Sequence, residues 1–218
     1  MHIRRFLRSL FCVGELPKER VAMFSDGVFA VVVTLLVLEI HVPQVAGPNL
    51  SAALLHALLE QAPKFFSYAL SFMIICIWWV AHHHLFDLIR RTDRGLLWLN
   101  SLFLLCLSFV PFPTAMMGDY PHERIAVMFY GTVTTLAGLC FACMRYYVFY
   151  VGRLVDPALD RALLRGAMRK SAMNPVLHSA AVLLALIDTR LALALYTVLP
   201  LSFVVPSALD RQQRARSD

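Results

Sequence analysis

Apolar residues along this chain come in long blocks closed by short basic clusters, with polar residues set singly inside the blocks. A helix needs about 20 mostly apolar residues to cross the hydrocarbon core of a bilayer. By that measure the pattern predicts six spans, roughly residues 20–41, 63–86, 96–117, 124–150, 173–188 and 190–207. The fifth is short, and only Asp188-Thr189-Arg190 separates it from the sixth, so these two are expected to form a tight helical hairpin. Asn174-Pro175 reads as a cap followed by proline in the first turn, which would start the fifth span. Pro111 and Pro113 should kink or end the third span, because proline lacks the amide proton and clashes with the preceding turn.

These blocks define the organisation: a cytoplasmic amphipathic lead-in over residues 1–19, a six-helix transmembrane domain over 20–207 and a basic cytoplasmic tail over 208–218. The one soluble-looking stretch, about 152–171, is too short for a domain, and no internal repeat is visible. The expected fold class is an all-α, polytopic membrane protein with no re-entrant filter loop. Composition agrees: 59% of residues are hydrophobic and 16% charged, against about a quarter charged in soluble domains.

Charge then orients the helices. The segment through Arg20 has five Lys and Arg, the loop around Arg90, Arg91 and Arg94 three, Arg145 to Lys170 six and the tail three, seventeen in all. The opposite side has Lys64, Arg124 and Arg190. Positive loops stay inside, so both termini are expected in the cytoplasm of a multi-pass cell-membrane protein. The formal charge of +6 lies at block edges rather than in a basic domain, which argues against nucleic acid as a partner.

With that topology the polar residues can be compared by depth. Asp26 lies six residues in from Arg20, His82, His83 and His84 six to eight from Arg90, and Asn100 six from Arg94. At 1.5 Å per residue these groups share a layer about 9 Å deep. A carboxylate in a membrane helix costs about 2.5–3.5 kcal/mol on insertion scales and normally faces a partner. Ser25 and Asp26 are therefore expected to meet Asn100, the indole of Trp98 and one inward histidine, with His83 and His84 assigned to this network. On a helical wheel, Val31, Leu35 and Leu38 share a face flanked by Thr34, about 120–140° from Ser25 and Asp26.

Catalytic chemistry finds little purchase. No G-x-S-x-G elbow occurs, and Ser25 beside Asp26 lacks a plausible oxyanion hole. A histidine with Asp87 gives a metal two ligands where a catalytic site needs a third and a base. The five cysteines include Cys140-x-x-Cys143 within a helix, best read as small packing residues because no second pair completes a zinc site. No enzyme and no cofactor are expected.

The stretch Arg20-x-x-x-Phe24-Ser25-Asp26-Gly27, continuing VFAVVVTLLVLEIHVP, resembles the R-x-x-x-F-S-D motif of the transmembrane protein 175 family of potassium channels. The segment HHHLFDLIRRTDRGLLWLNSLFLLCLSFVPFPTAMMGDY resembles the second and third spans of its bacterial members. The resemblance implies a homotetramer around four copies of the first span, with potassium as the permeant ion and membrane lipid around it. It assigns Val31, Leu35 and Leu38 to the pore constriction and Thr34 to a selectivity layer. It assigns Arg20, Phe24, Ser25 and Asp26 to bracing the channel. Val31 is smaller than the Leu or Ile that the family often has there. The competing reading is a proton- or ion-coupled secondary transporter using Asp26 and a histidine, though the broken helix pair and repeat common in carriers are missing.

Overall fold

A computed structural model describes residues 17–204. The elements are helices, with no strand among the described residues. The lead-in up to residue 16, Cys12 and the 208–218 tail lie outside them.

Helix α1 (Lys18–Leu38) starts directly after Pro17 and has 21 residues, about 31 Å of helix and a match for the hydrocarbon core. A short helix α2 (Leu50–Glu60), which the span pattern did not single out, is capped by Asn49, whose side chain accepts from the Ala52 amide at 3.2 Å. Helix α3 (Ala62–Leu88) follows with proline in its first turn. Asp93 caps α4 (Arg94–Ser108) by accepting from the Leu96 amide at 2.8 Å. The expected proline break is present: α4 ends at Ser108, and α5 (Pro111–Asp119) resumes at the first of the two prolines. Helix α6 (Arg124–Tyr146) widens at its end into a π turn, Tyr147–Val151.

Among the described residues, four segments are long and apolar enough to cross a membrane: Lys18–Leu38, Ala62–Leu88, Arg94–Asp119 and Arg124–Val151. They correspond to the first four expected spans. The last two expected spans are helical but differ in extent. Helix α7 runs Arg161–Ala185, so the second part of the stretch read as soluble, from residue 161 on, is the first half of a helix. Its cap is Asp160, which accepts from the Ala162 amide at 2.8 Å, and Pro175 lies inside the helix rather than at its start. The arginines of that half, Arg161, Arg165 and Arg169, occupy one exposed side, while Leu164, Ala167, Ser171 and Asn174 keep a helical repeat on the buried side. Helix α8 (Thr189–Val204) folds back after the short turn, as the hairpin reading expects.

The hairpin seats closely on α6. A Cβ at Gly131 would run into the Tyr196 hydroxyl and lie 2.6 Å from Cγ2 of Val182. Tyr196 is fully buried, so it has no room to retreat. Gly131→Ala is expected to lower stability by about 1–3 kcal/mol through overpacking, read as a lower melting temperature in detergent.

A buried arginine ties α3, α6 and α7 together. The Arg145 guanidinium donates to the carbonyls of Ala81 and Ala167, both at 3.2 Å, and lies 4.9 Å above the Phe141 ring. Counted by sequence as one more boundary charge, it is an internal clamp.

Candidate ion path and the polar column behind it

Helix α1 is apolar nearly all round, so its sequence alone does not say which side packs inward. The structure separates two faces. Val21, Ser25, Phe29, Val32 and Leu36 are buried against the rest of the subunit. Opposite them, Phe24 (64% exposed), Val31 (56%), Leu35 (40%) and Leu38 (67%) are uncovered, with Gly27 and Thr34 in the same stripe. At 100° per residue, Thr34 lies about 180° from the centre of the buried face.

Behind the buried face runs a column of three polar side chains. The Ser25 hydroxyl lies 2.9 Å from the Val21 carbonyl, which can only accept, so serine's single proton is committed there. Towards Asn100 it can therefore only accept, and the Asn100 amide nitrogen donates to it at 2.9 Å. That orients the amide so that Asn100 Oδ1 faces His82 Nε2 at 2.9 Å. Oδ1 is an acceptor, so His82 carries its proton on Nε2. The imidazole is stacked on Phe86 at 4.4 Å and meets Phe29 edge-on at 5.6 Å. Ser25, His82 and Asn100 are all buried, so this column joins α1, α3 and α4 away from water.

Asp26 stands apart from it. Its Oδ1 accepts from the Trp79 indole at 2.9 Å, on the half-exposed flank of α1. The single knot expected from depth is thus two clusters, and its membership changes. The inward histidine is His82. His83 faces outward, stacks on Trp79 and sits 3.6 Å from Asp87 on its own helix. His84 is half-buried on the same helix. The indole belongs to Trp79, since Trp98 is 63% exposed on α4. Arg20 and Phe24 lie on the exposed side of α1 with Val31 and Leu38, not with Ser25.

The sequence reading also missed a second buried hydroxyl cluster. The Ser71 hydroxyl meets Thr114 Oγ1 at 2.8 Å and the Tyr130 hydroxyl at 3.1 Å, joining α3, α5 and α6. Among the described residues no three His, Cys, Asp or Glu side chains gather as a metal site. The buried Cys140 instead lies 3.8 Å from Cys106 of α4.

Thr34 has the most informative local geometry in the exposed stripe. Its hydroxyl donates back to the carbonyls of Val31 (2.9 Å) and Ala30 (3.1 Å). The proton is thereby held on the helix, and the oxygen's remaining lone-pair capacity is turned to the outside. Outward it is an acceptor.

Known proteins resemble this chain in sequence and in fold. A family model described as the endosomal/lysosomal potassium channel TMEM175 matches residues 20–111. A Streptomyces collinus protein named a potassium channel is 37% identical over 188 residues, which is 84% of this chain and 90% of that one. The crystal structure of a lysosomal potassium-selective channel TMEM175 homolog from Chamaesiphon minutus has a TM-score of 0.76 at 32% identity, covering 86% of this chain and 96% of that one. The human endosomal/lysosomal proton channel TMEM175 is 24% identical over 167 residues, and the matched part is 33% of that protein. The chain belongs to the TMEM175 family, whose members are ion channels and not enzymes.

Proposed function

We propose that the protein is a potassium-conducting channel of the cell membrane, in which four copies of the chain surround a pore lined by α1. The observation that carries this reading is the uncovered stripe Val31, Thr34, Leu35 and Leu38 on a helix whose other side is locked into the subunit. One such stripe cannot enclose a path, whereas copies related by rotation about an axis can. Both potassium-channel relatives support potassium as the permeant ion. Six spans per subunit, with both termini on the cytoplasmic side, follow from the α7–α8 hairpin and the distribution of Lys and Arg.

Val31, Leu35 and Leu38 form the constriction. Apolar rings offer an ion nothing in place of its hydration water, so they act as size limits and dewetting barriers. Leu35→Ala should widen the ring and raise unitary current. The transporter alternative needs Asp26 to exchange protons with a histidine, but Asp26 engages Trp79.

Recording from purified protein in planar bilayers tests the proposal. Unitary currents carried by potassium are expected; steady coupled flux without unitary steps would refute the channel. Native mass measurement should give four subunits, and a monomer in both mild detergent and lipid would refute the shared pore.

A further inference from the structure

Helix α7 carries Arg161, Arg165 and Arg169 at intervals of four residues, all exposed. By 100° per residue they fall within about 80° of one another. The same sector, continued up the helix, holds Val176 (64% exposed) and Leu183 (65%), with Ile187 (74%) in the turn that follows it. The packed side, with Leu164, Ala167, Asn174, His178 and Ala181, is turned away from them. The three arginines therefore continue, toward the N-terminal end of α7, the sector that carries an outward apolar face in a membrane protein.

We propose that this stripe is a binding site for anionic phospholipid at the basic end of α7. From Arg161 to Arg169 the helix rises about 12 Å, enough to cross a headgroup layer roughly 5–8 Å thick with arginine stems snorkelling from either end. Among the described residues none of the three is ion-paired, so their charge is not already neutralised. A guanidinium grips phosphate through two parallel N–H bonds, which a lysine ammonium cannot do. A cytosolic acidic protein would need the face to look into water, whereas here it continues an apolar surface. The lipid phosphate is the occupant that matches both halves.

The test titrates the purified full chain with phosphatidylglycerol, phosphatidylcholine or inorganic phosphate, reading bound lipid by native mass and melting temperature. Phosphatidylglycerol should be retained in preference to phosphatidylcholine and should raise the melting temperature. At about 1 kcal/mol per basic residue near an anionic surface, Arg161→Gln/Arg165→Gln/Arg169→Gln should weaken phosphatidylglycerol binding on the order of a hundredfold. Arg165→Gln alone, a milder change less able to disturb folding, should weaken it severalfold. Lysine at all three positions should restore part of the binding. Arg91→Gln/Arg153→Gln, which removes exposed charge elsewhere on the basic side, should leave the lipid preference intact. Parental lipid preference in the glutamine variants would overturn the site. So would an equal loss in the Arg91/Arg153 variant, an equal effect of inorganic phosphate, or a changed subunit number with lipid binding unaltered.

Discussion

Asn100→Leu should be among the most destabilising single changes in the subunit. Asn100 is the only member of the buried column that contacts both of the others, donating to Ser25 and accepting from His82 at 2.9 Å each. Leucine leaves the Ser25 oxygen short of a donor and the His82 Nε2–H without an acceptor, in surroundings made of Phe29, Phe86 and Phe103. Each buried polar group left unpaired costs about 1–3 kcal/mol. Two such losses are a sizeable part of the 5–15 kcal/mol that holds a typical domain together. Interhelical hydrogen bonds in membranes average only about 0.6 kcal/mol, because the unfolded chain in lipid also finds partners. The lower end, about 2 kcal/mol, is therefore expected, read as a drop in melting temperature and in the yield of assembled protein.

A companion variant separates polarity from packing. His82→Phe added to Asn100→Leu removes the orphaned donor and places a ring among rings, so it should recover part of the lost stability. Asp26→Asn keeps the Oδ1 acceptor for Trp79 and, on a half-exposed flank, should melt close to the parent. An Asn100→Leu protein as stable as the parent would show that the column is incidental to the fold.

The contrast between these positions shows what a sequence of this kind conveys. Depth was legible, because Arg20, Arg90 and Arg94 anchor helix ends and 1.5 Å per residue does the rest. That correctly placed Ser25, Asn100 and a histidine in one layer. Rotation about the helix axis was harder, since each successive residue turns by 100°. His82 and His83 are equivalent in depth, yet one is buried and the other faces out. A usable signal was present in α3: Ile74, Trp78 and His82 follow at four-residue intervals, with Leu85 after them, and all are buried. Extending that repeat selects His82 and passes over His83 and His84. In the same way Asn100 continues the series Leu96, Phe103, Leu104 and Leu107 on α4, which Trp98 does not join.

Helix α1 offered no such help, because residues on both of its sides are apolar. There the wheel located the Val31, Leu35 and Leu38 face, and the resemblance gave it a role. The opposite error arose in α7, where a charged stretch was set apart as soluble-looking although its second part is the first half of a packed helix. Arginine is a good helix former, and charge on one side of a helix is compatible with close packing on the other. The buried repeat through Leu164, Ala167 and Ser171 carried the better signal.

Selectivity should fail when the Thr34 hydroxyl is removed, even though the pore keeps its shape. Within the proposed pore, Val31, Leu35 and Leu38 supply no ligand, so preference between cations must come from a group that can replace water. Thr34 is placed for this: its proton is held by the carbonyls of Val31 and Ala30, and its oxygen faces away from the subunit core. Four such oxygens around an axis would form a ring of weak dipoles, which favours potassium because it gives up hydration more readily than sodium. A tenfold preference corresponds to about 1.4 kcal/mol, and one layer of hydroxyls replacing few waters should give a preference of about that size or smaller. Thr34→Val preserves the branched shape and removes the acceptor. It should carry current comparable to the parent while its reversal potential under a potassium/sodium gradient moves towards zero, and Thr34→Ala should do the same. Leu35→Ala provides the opposite signature, a larger current from a wider ring. Parental reversal potentials in both Thr34 variants, with selectivity abolished by a substitution elsewhere, would place the filter away from this stripe.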